Sequence, residues 1–528
     1  RRKDIELSGV NYLSQWSYPN RIMKSAAWVS QTGEEVQYMQ LTSFGCGPDA
    51  FMTDEVQTLL RNHGKNLTLL KIDDVNNTGS LKLRVRSLVE SLRTKAEETK
   101  NCKSDTVSLP PYTEKHAGRK IIVPFFTPFI SPLIPSLMKL AGYNVENLPM
   151  SDNASCDWGL KYSNNEICYP ATLVVGDIMK AFKSGAYNPD TTCVAMVQTG
   201  GQCRASNYFS LIRKALMEGG YTNTPVISVT FGGGIKNEQP GFRVNWPKML
   251  PMAAVLYSDC IAKFYYASVV RENIPGEVRR LRDRYLDAAT GPITRNRPDE
   301  LYDHLFLAAA DFNRICRNED HPKVGIVGEI FLKFHPFAQR HVTDWLVSQG
   351  IEVVFPARLR ECEKQEGKPY GKQIPSGVRH RLLLQKGSET TGAGQCVRQQ
   401  VQLFHSVRQH LRQSETGTQR YLAQHAVRRG MAGEVAALAR QGIGHVISLQ
   451  PFGCIANHIV EKGIENRLKL FYPQLNILSL DFDSSVSGVN ITNRLLLFIN
   501  NLQNNNHGSY RKYQYGAADH TGCQTGVH

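Results

Sequence analysis

The chain has 528 residues, 41% of them hydrophobic, and a net charge of +15 from 62 Lys/Arg against 47 Asp/Glu. That length suggests roughly three domains or lobes, and the hydrophobic share excludes a disordered chain. The charge is local: 14 Lys/Arg against 5 Asp/Glu lie between Arg358 and Arg429, so +9 of the +15 sits in one segment. The basic pI is therefore weak support for nucleic-acid binding.

In chain order, short β-branched runs bounded by Gly, Pro, Asn or Asp predict strands at 36–44, 67–73, 120–126, 193–200, 225–231, within 324–333, and at 351–356, 445–452 and 476–483. Helical patterns follow most of them, at 53–64, 169–185, 205–220 and 335–350, and each ends on glycine. Near-continuous apolar strands alternating with helices imply parallel sheets covered on both faces. The expected fold is α/β, two doubly wound lobes joined by a polar helical stretch.

The longest apolar stretch, 121–143, contains Pro124, Pro128, Pro132 and Pro135. These would break a membrane helix several times, so it reads as a strand, a turn and the start of a helix. The chain opens on "RRKDIELSGV", without Met and without a signal-peptide pattern. We expect a cut from a longer polypeptide, in a reducing cytoplasm, with no membrane partner. The organisation read from the sequence is an N-terminal α/β segment at 1–110, a cysteine-bearing lobe at 111–270, a helical connector at 271–320, and a second lobe from 321–357 and 432–502. Residues 358–431 form an atypical basic segment, and 503–528 a mobile polar tail.

There are 12 cysteines. Without a secretory signal they do not suggest a disulfide scaffold. Cys46 ("SFGCGPDA"), Cys203 ("QTGGQCRASNYF") and Cys454 ("QPFGCIANHI") each follow a strand, inside a glycine turn, before a helix; Cys168 ("NNEICYPATL") opens a helix. Ligands of open α/β sheets bind at the carboxyl ends of strands. Helix N-termini offer free N–H groups that favour thiolates and anions. Gly45, Gly47, Gly200, Gly201 and Gly453 would let backbone amides approach closely, and amide hydrogen bonds to sulfur tune iron–sulfur clusters. The plainer alternative is core filler, the reading given to Cys193 and Cys260. Zinc is disfavoured: the junction cysteines are 122, 35 and 251 residues apart, with no close pair. Cys454 and His458 would share a helical face, but no third orienting group is evident for nucleophilic catalysis.

The runs "QLTSFGCGPDAFMTDEV", "GLKYSNNEICYPATLVVGDIM", "QTGGQCRASNYFSLIRKAL" and "ISLQPFGCIANHIVEKGIE" resemble the activase-related proteins of the 2-hydroxyacyl-CoA dehydratase superfamily, over about 12–357 and 433–485. The resemblance implies paired Rossmann-like lobes with an iron–sulfur cluster between them, 4Fe–4S or double-cubane. Its ligands would be Cys46, Cys168, Cys203 and Cys454, with Gly45, Gly201, Gln202, Arg204 and Gly453 beside the cluster. It implies low-potential one-electron reduction, or reductive dehydration of an acyl-CoA through a ketyl radical. ATP would enter only through a separate actin-like activase, upstream in the same polypeptide or on another chain. The assembly would be a homodimer or part of a larger multidomain chain. No catalytic residue is singled out. The sequence shows no actin-like ATPase phosphate motif, and the resemblance lapses over 358–431. A divergent insertion or a disturbed reading frame would explain that lapse; resequencing the coding DNA decides between them.

The alternative function is a non-catalytic electron-transfer or cluster-carrying partner of the activase. A basic nucleic-acid-binding arm at 358–431 is the less favoured third reading. Ser206 or Asn207 would cap a helix. The "TFGGGIKN" loop (230–237) is a weak phosphate cradle. Gln198 and Gln450 would donate to sulfur or bind water. Asp481 and Asp483 end a strand, as site residues or as caps.

Overall fold

A computed structural model describes Ile5 and residues 17–33, 35–43, 47–72, 78–94, 109–164, 166–198, 207–230, 239, 241–244, 249–356, 431–454, 457–458 and 462–507. The atypical segment thus lies outside the described residues, apart from its last residue, and so does the tail beyond residue 507. Residues 1–486 form one compact unit and 487–528 a second.

The first described elements are α1 (Ser17–Ser30), β1 (Tyr38–Ser43), α2 (Gly47–Arg61), β2 (Leu67–Ile72) and α3 (Thr78–Thr94). β1 and β2 pair in parallel, with Tyr38 opposite Leu67. Met23, Ala26, Val29, Val56 and Leu60 of the two helices close over Tyr38.

The first lobe holds β3 (Lys120–Val123), α4 (Ile134–Leu140), β4 (Val145–Asn147), α5 (Asn153–Tyr162), α6 (Tyr169–Lys183), β5 (Thr192–Gln198), α7 (Tyr208–Glu218) and β6 (Val226–Thr230). Three helices follow: α8 (Met249–Ser268), α9 (Glu277–Thr294) and α10 (Pro298–Arg314). The second lobe holds β7 (Lys323–Gly328), α11 (Ile330–Phe334), α12 (Val342–Ser348), β8 (Glu352–Val354), α13 (Met431–Arg440), β9 (His445–Pro451), α14 (Lys462–Phe471) and β10 (Asn476–Phe482). In the second unit, α15 spans Gly488–His507.

Both four-stranded sheets are wholly parallel, in the orders β4-β3-β5-β6 and β10-β9-β7-β8. Counted within each lobe, both run second-first-third-fourth. The first and third strands, β3 with β5 and β7 with β9, are neighbours, and connections leave them in opposite directions. That is the topological switch point of each sheet, where a crevice opens at the carboxyl ends. The α/β expectation with parallel sheets therefore holds.

The four glycines read as helix stops, Gly64, Gly185, Gly220 and Gly350, all have φ between 72° and 84°, the left-handed region that ends helices. Two expectations need correction. The run 324–333 is a strand only to Gly328. There φ is 127°, and a Cβ would overlap the Leu449 carbonyl. Glu329 then caps α11, accepting from Leu332 N at 2.8 Å. The helix read over 335–350 forms only from Val342, after Arg340 and His341 at φ 53° and 56°. The short strand β4 was not expected. α2 starts at Gly47, six residues ahead of its pattern, with Pro48 in its first turn, where proline fits.

α5 and α6 approach closely because neither bears a side chain at the contact. A Cβ on Gly159 would overlap the Thr172 carbonyl, and one on Gly176 the Ser155 carbonyl. α6 is buried along its length apart from Lys180 and Lys183. Such a helix is a rigid base for whatever stands at its N-cap.

Candidate functional site

That N-cap position belongs to Cys168. It caps α6 in extended conformation (φ −61°, ψ 142°), with Pro170 in the first turn. Its carbonyl accepts from Ala171 N at 2.9 Å and Thr172 N at 3.2 Å. The thiol is buried, 7% exposed, and its Sγ lies 3.3 Å from Tyr208 Oη. Tyr208 is the first residue of α7, five residues after Cys203. Four residues before Cys168, Asn164 Nδ2 donates to Ala50 O and Asp54 Oδ2, both at 2.8 Å. Both acceptors lie in α2, which starts one residue after Cys46. Lys214 of α7 pairs with the same Asp54 at 3.4 Å, and Glu166 pairs with Lys71 of β2. The helices that follow Cys46, Cys168 and Cys203 are thus tied to one another.

Cys454 stands at the other lobe's switch point. Phe452 N donates to Phe482 O at 2.9 Å, which binds the turn to β10. Gly453 has φ 73°, a left-handed value that a side chain would strain. The Cys454 thiol donates to Asn457 Oδ1 at 3.2 Å, and Asn457 Nδ2 donates to Leu449 O at 3.4 Å. An orienting group for His458 does exist: its Nε2 lies 3.0 Å from Asp481 Oδ1, and Lys462 reaches the same carboxylate at 3.2 Å. The other ring nitrogen, Nδ1, faces the Cys454 carbonyl at 3.1 Å. Both nitrogens therefore face oxygens, and neither is poised to take the thiol proton as a nucleophile's base does.

The two lobes meet beside Cys168. Tyr169 Oη lies 3.8 Å from Cys156 Sγ. Burial pushes the Tyr169 phenol up, and the charges of Arg340 and Asp483, both from the second lobe, act on it. Asp483 follows β10, next to β9 in the sheet. Its Oδ1 accepts from Ser485 N at 2.7 Å, so it builds a turn. Gln450, on β9 ahead of Cys454, is fully buried, and its Oε1 has no hydrogen-bond partner.

Of the expected site residues, the structure describes Cys168, Gly453 and Cys454. Gly45, Cys46, Gly201, Gln202, Cys203 and Arg204 lie outside the described residues, as does most of the 230–237 loop. Cys193 and Cys260 are buried at 0% and 3% exposure. Burial pushes the Cys193 thiol up to about 11, as befits inert filler. Asn207 occupies the N-cap of α7, but its side chain makes no capping bond. Among the described residues no group of three or more His, Cys, Asp or Glu is placed to hold a metal ion, and no helix is long and apolar enough to cross a membrane. Sequence reasoning missed Asp481 as the partner of His458, because β9–β10 pairing is not visible in a linear reading. It also missed the shared topology: Cys203 and Cys454 both follow the third strand of their lobe. No protein-family model matches the chain, and no curated protein matches it in sequence.

Proposed function

We propose that the chain is an iron–sulfur protein of the 2-hydroxyacyl-CoA dehydratase type, with Cys46, Cys168, Cys203 and Cys454 as cluster ligands. The observation that carries the reading is positional. Cys203 and Cys454 follow equivalent strands at the switch points of two like sheets. Cys168 lies against the helix that follows Cys203. Of the described residues, Cys168 at a helix start and Cys454 on a glycine turn bring thiols, the donor type such a group takes. When bound, such a cluster supplies a low-potential electron.

The chain's own residues would do the holding. α6 fixes Cys168 in a dry setting, and the Tyr208 phenol lies within hydrogen-bond reach of its sulfur. Gly453 turns Cys454 off the end of β9. In this reading electrons arrive from an ATP-driven activase, and the acceptor is a CoA thioester. The second reading, a cluster-carrying electron-transfer partner, differs in having every iron capped by protein thiolate.

Anaerobic purification with iron and sulfide analysis and EPR tests the proposal. About four or eight irons per chain, lost in Cys203→Ala, is the expected result. Well-folded protein without iron or sulfide would refute the proposal for this chain.

A further inference from the structure

Three buried side chains from distant parts of the chain form one hydrogen-bonded line between the lobes. Asp177 lies midway along α6, Ser151 precedes α5, and His335 follows α11; they are 1%, 3% and 0% exposed. Ser151 Oγ donates to Asp177 Oδ2 at 2.6 Å and meets His335 Nε2 at 3.2 Å. Ala338 N donates to His335 Nδ1 at 3.2 Å. Nδ1 is therefore the acceptor nitrogen, and the ring proton sits on Nε2. The line has one polarity: His335 donates to Ser151, and Ser151 donates to Asp177. A carboxyl proton on Asp177 would sit on Oδ1, which has no hydrogen-bond partner.

We propose that this line is a latch that seats α6, and Cys168 with it, against the second lobe, and that it holds across a wide pH range. It stands apart from the cofactor reading, since none of its atoms belongs to that site. Ser151 and Asp177 come from the first lobe and His335 from the second. Phe125 meets the His335 ring edge-on at 5.3 Å, and Phe331 stacks on it at 4.8 Å, so water is kept from the joint.

The charged groups acting on Asp177 are Lys180, 3.8 Å away on α6, and Asp152 at the head of α5; Cys156 also faces it from α5. His341 acts on His335. Burial pushes the Asp177 carboxyl from 3.8 up to about 6 and the His335 imidazole from 6.5 down to about 4. The raised carboxyl favours the latched state at low pH and loses that contribution as pH rises through about 6. The lowered imidazole favours it at high pH and loses that contribution as pH falls through about 4. Between those values the two slopes are opposite in sign, so the titration of one group offsets that of the other.

Hydrogen exchange of the full chain, corrected for intrinsic rates, tests this in α5, α6 and α11 between about pH 4.5 and 7. In the wild type, protection should stay within about threefold across that range. Asp177→Asn leaves only the imidazole, so protection should fall more than about 10-fold towards acid; His335→Gln leaves only the carboxyl, so it should fall by a similar factor towards neutral. Ser151→Ala removes one oxygen and should lower protection in both α6 and α11 at every pH, with α9 and α10 unchanged. If either charge-removing variant fails to fold, the serine variant decides. Unchanged protection in Ser151→Ala, or Asp177→Asn and His335→Gln profiles as flat as the wild type, would overturn the latch.

Discussion

The two lobes share a strand order, but they build their cysteine shoulders differently. In the first, Cys168 is buried at the start of a helix that is itself almost wholly buried. In the second, Cys454 is partly exposed on a glycine turn, held by Asn457 and by the bond from Phe452 to Phe482 of β10. One shoulder is fixed by packing, the other by a few polar bonds and one backbone angle. Packing tolerates little change in volume, whereas a turn tolerates change as long as its dihedrals survive. The contrast is reversed at the other end of the sheets. Each lobe pairs a lysine on its first strand with a glutamate on its second: Lys120 with Glu146 at 2.6 Å, and Lys323 with Glu352 at 3.8 Å. Glu146 is 44% exposed, whereas Glu352 is 11% exposed and also carries Arg271 at 2.7 Å.

The comparison can be broken at four points. Glu352→Ala strands the buried Arg271 guanidinium and should cost about 3–5 kcal/mol in urea unfolding. A loss under about 1 kcal/mol would show that water reaches Arg271. Gly176→Ala forces a methyl group into the Ser155 carbonyl and should cost roughly 3 kcal/mol; a neutral result would mean α5 moves freely against α6. Gly453→Ala places a side chain at φ 73° and should cost roughly 1–2 kcal/mol, with faster thiol labelling of Cys454 as the turn opens. Unchanged labelling would show that the polar bonds alone hold it. Glu146→Ala, the first-lobe counterpart of Glu352→Ala, should cost under about 1 kcal/mol because the pair is solvated. Equal losses at the two glutamates would erase the distinction between the lobes.

Much of the sheet architecture was legible in the sequence, because buried parallel strands are continuous apolar runs and glycine marks the helix stops. The misreadings have local causes. "GEIFL" continues the apolar run of β7, so nothing in composition separates strand from helix; the break is made by Gly328 geometry and the Glu329 cap. "VEN" in β4 is too short to show alternation. The first half of 335–350 has helical spacing, but Pro336 and two left-handed residues hold it as a turn. The candidate site was legible only as four junction cysteines, not as a topology. That Cys203 and Cys454 follow equivalent strands depends on strand order, which a linear pattern does not carry. The Ser151–His335 contact spans 184 residues and joins types that usually read as surface.

The central claim is that thiols from both lobes serve one cluster. Iron and sulfide counted on anaerobic wild type, Cys168→Ala and Cys454→Ala test it most directly. The account expects about four or eight irons per chain in the wild type and the loss of the cluster in each variant, although the two cysteines belong to different sheets. Full iron in Cys454→Ala, with the protein folded, would contradict it by confining the site to one lobe.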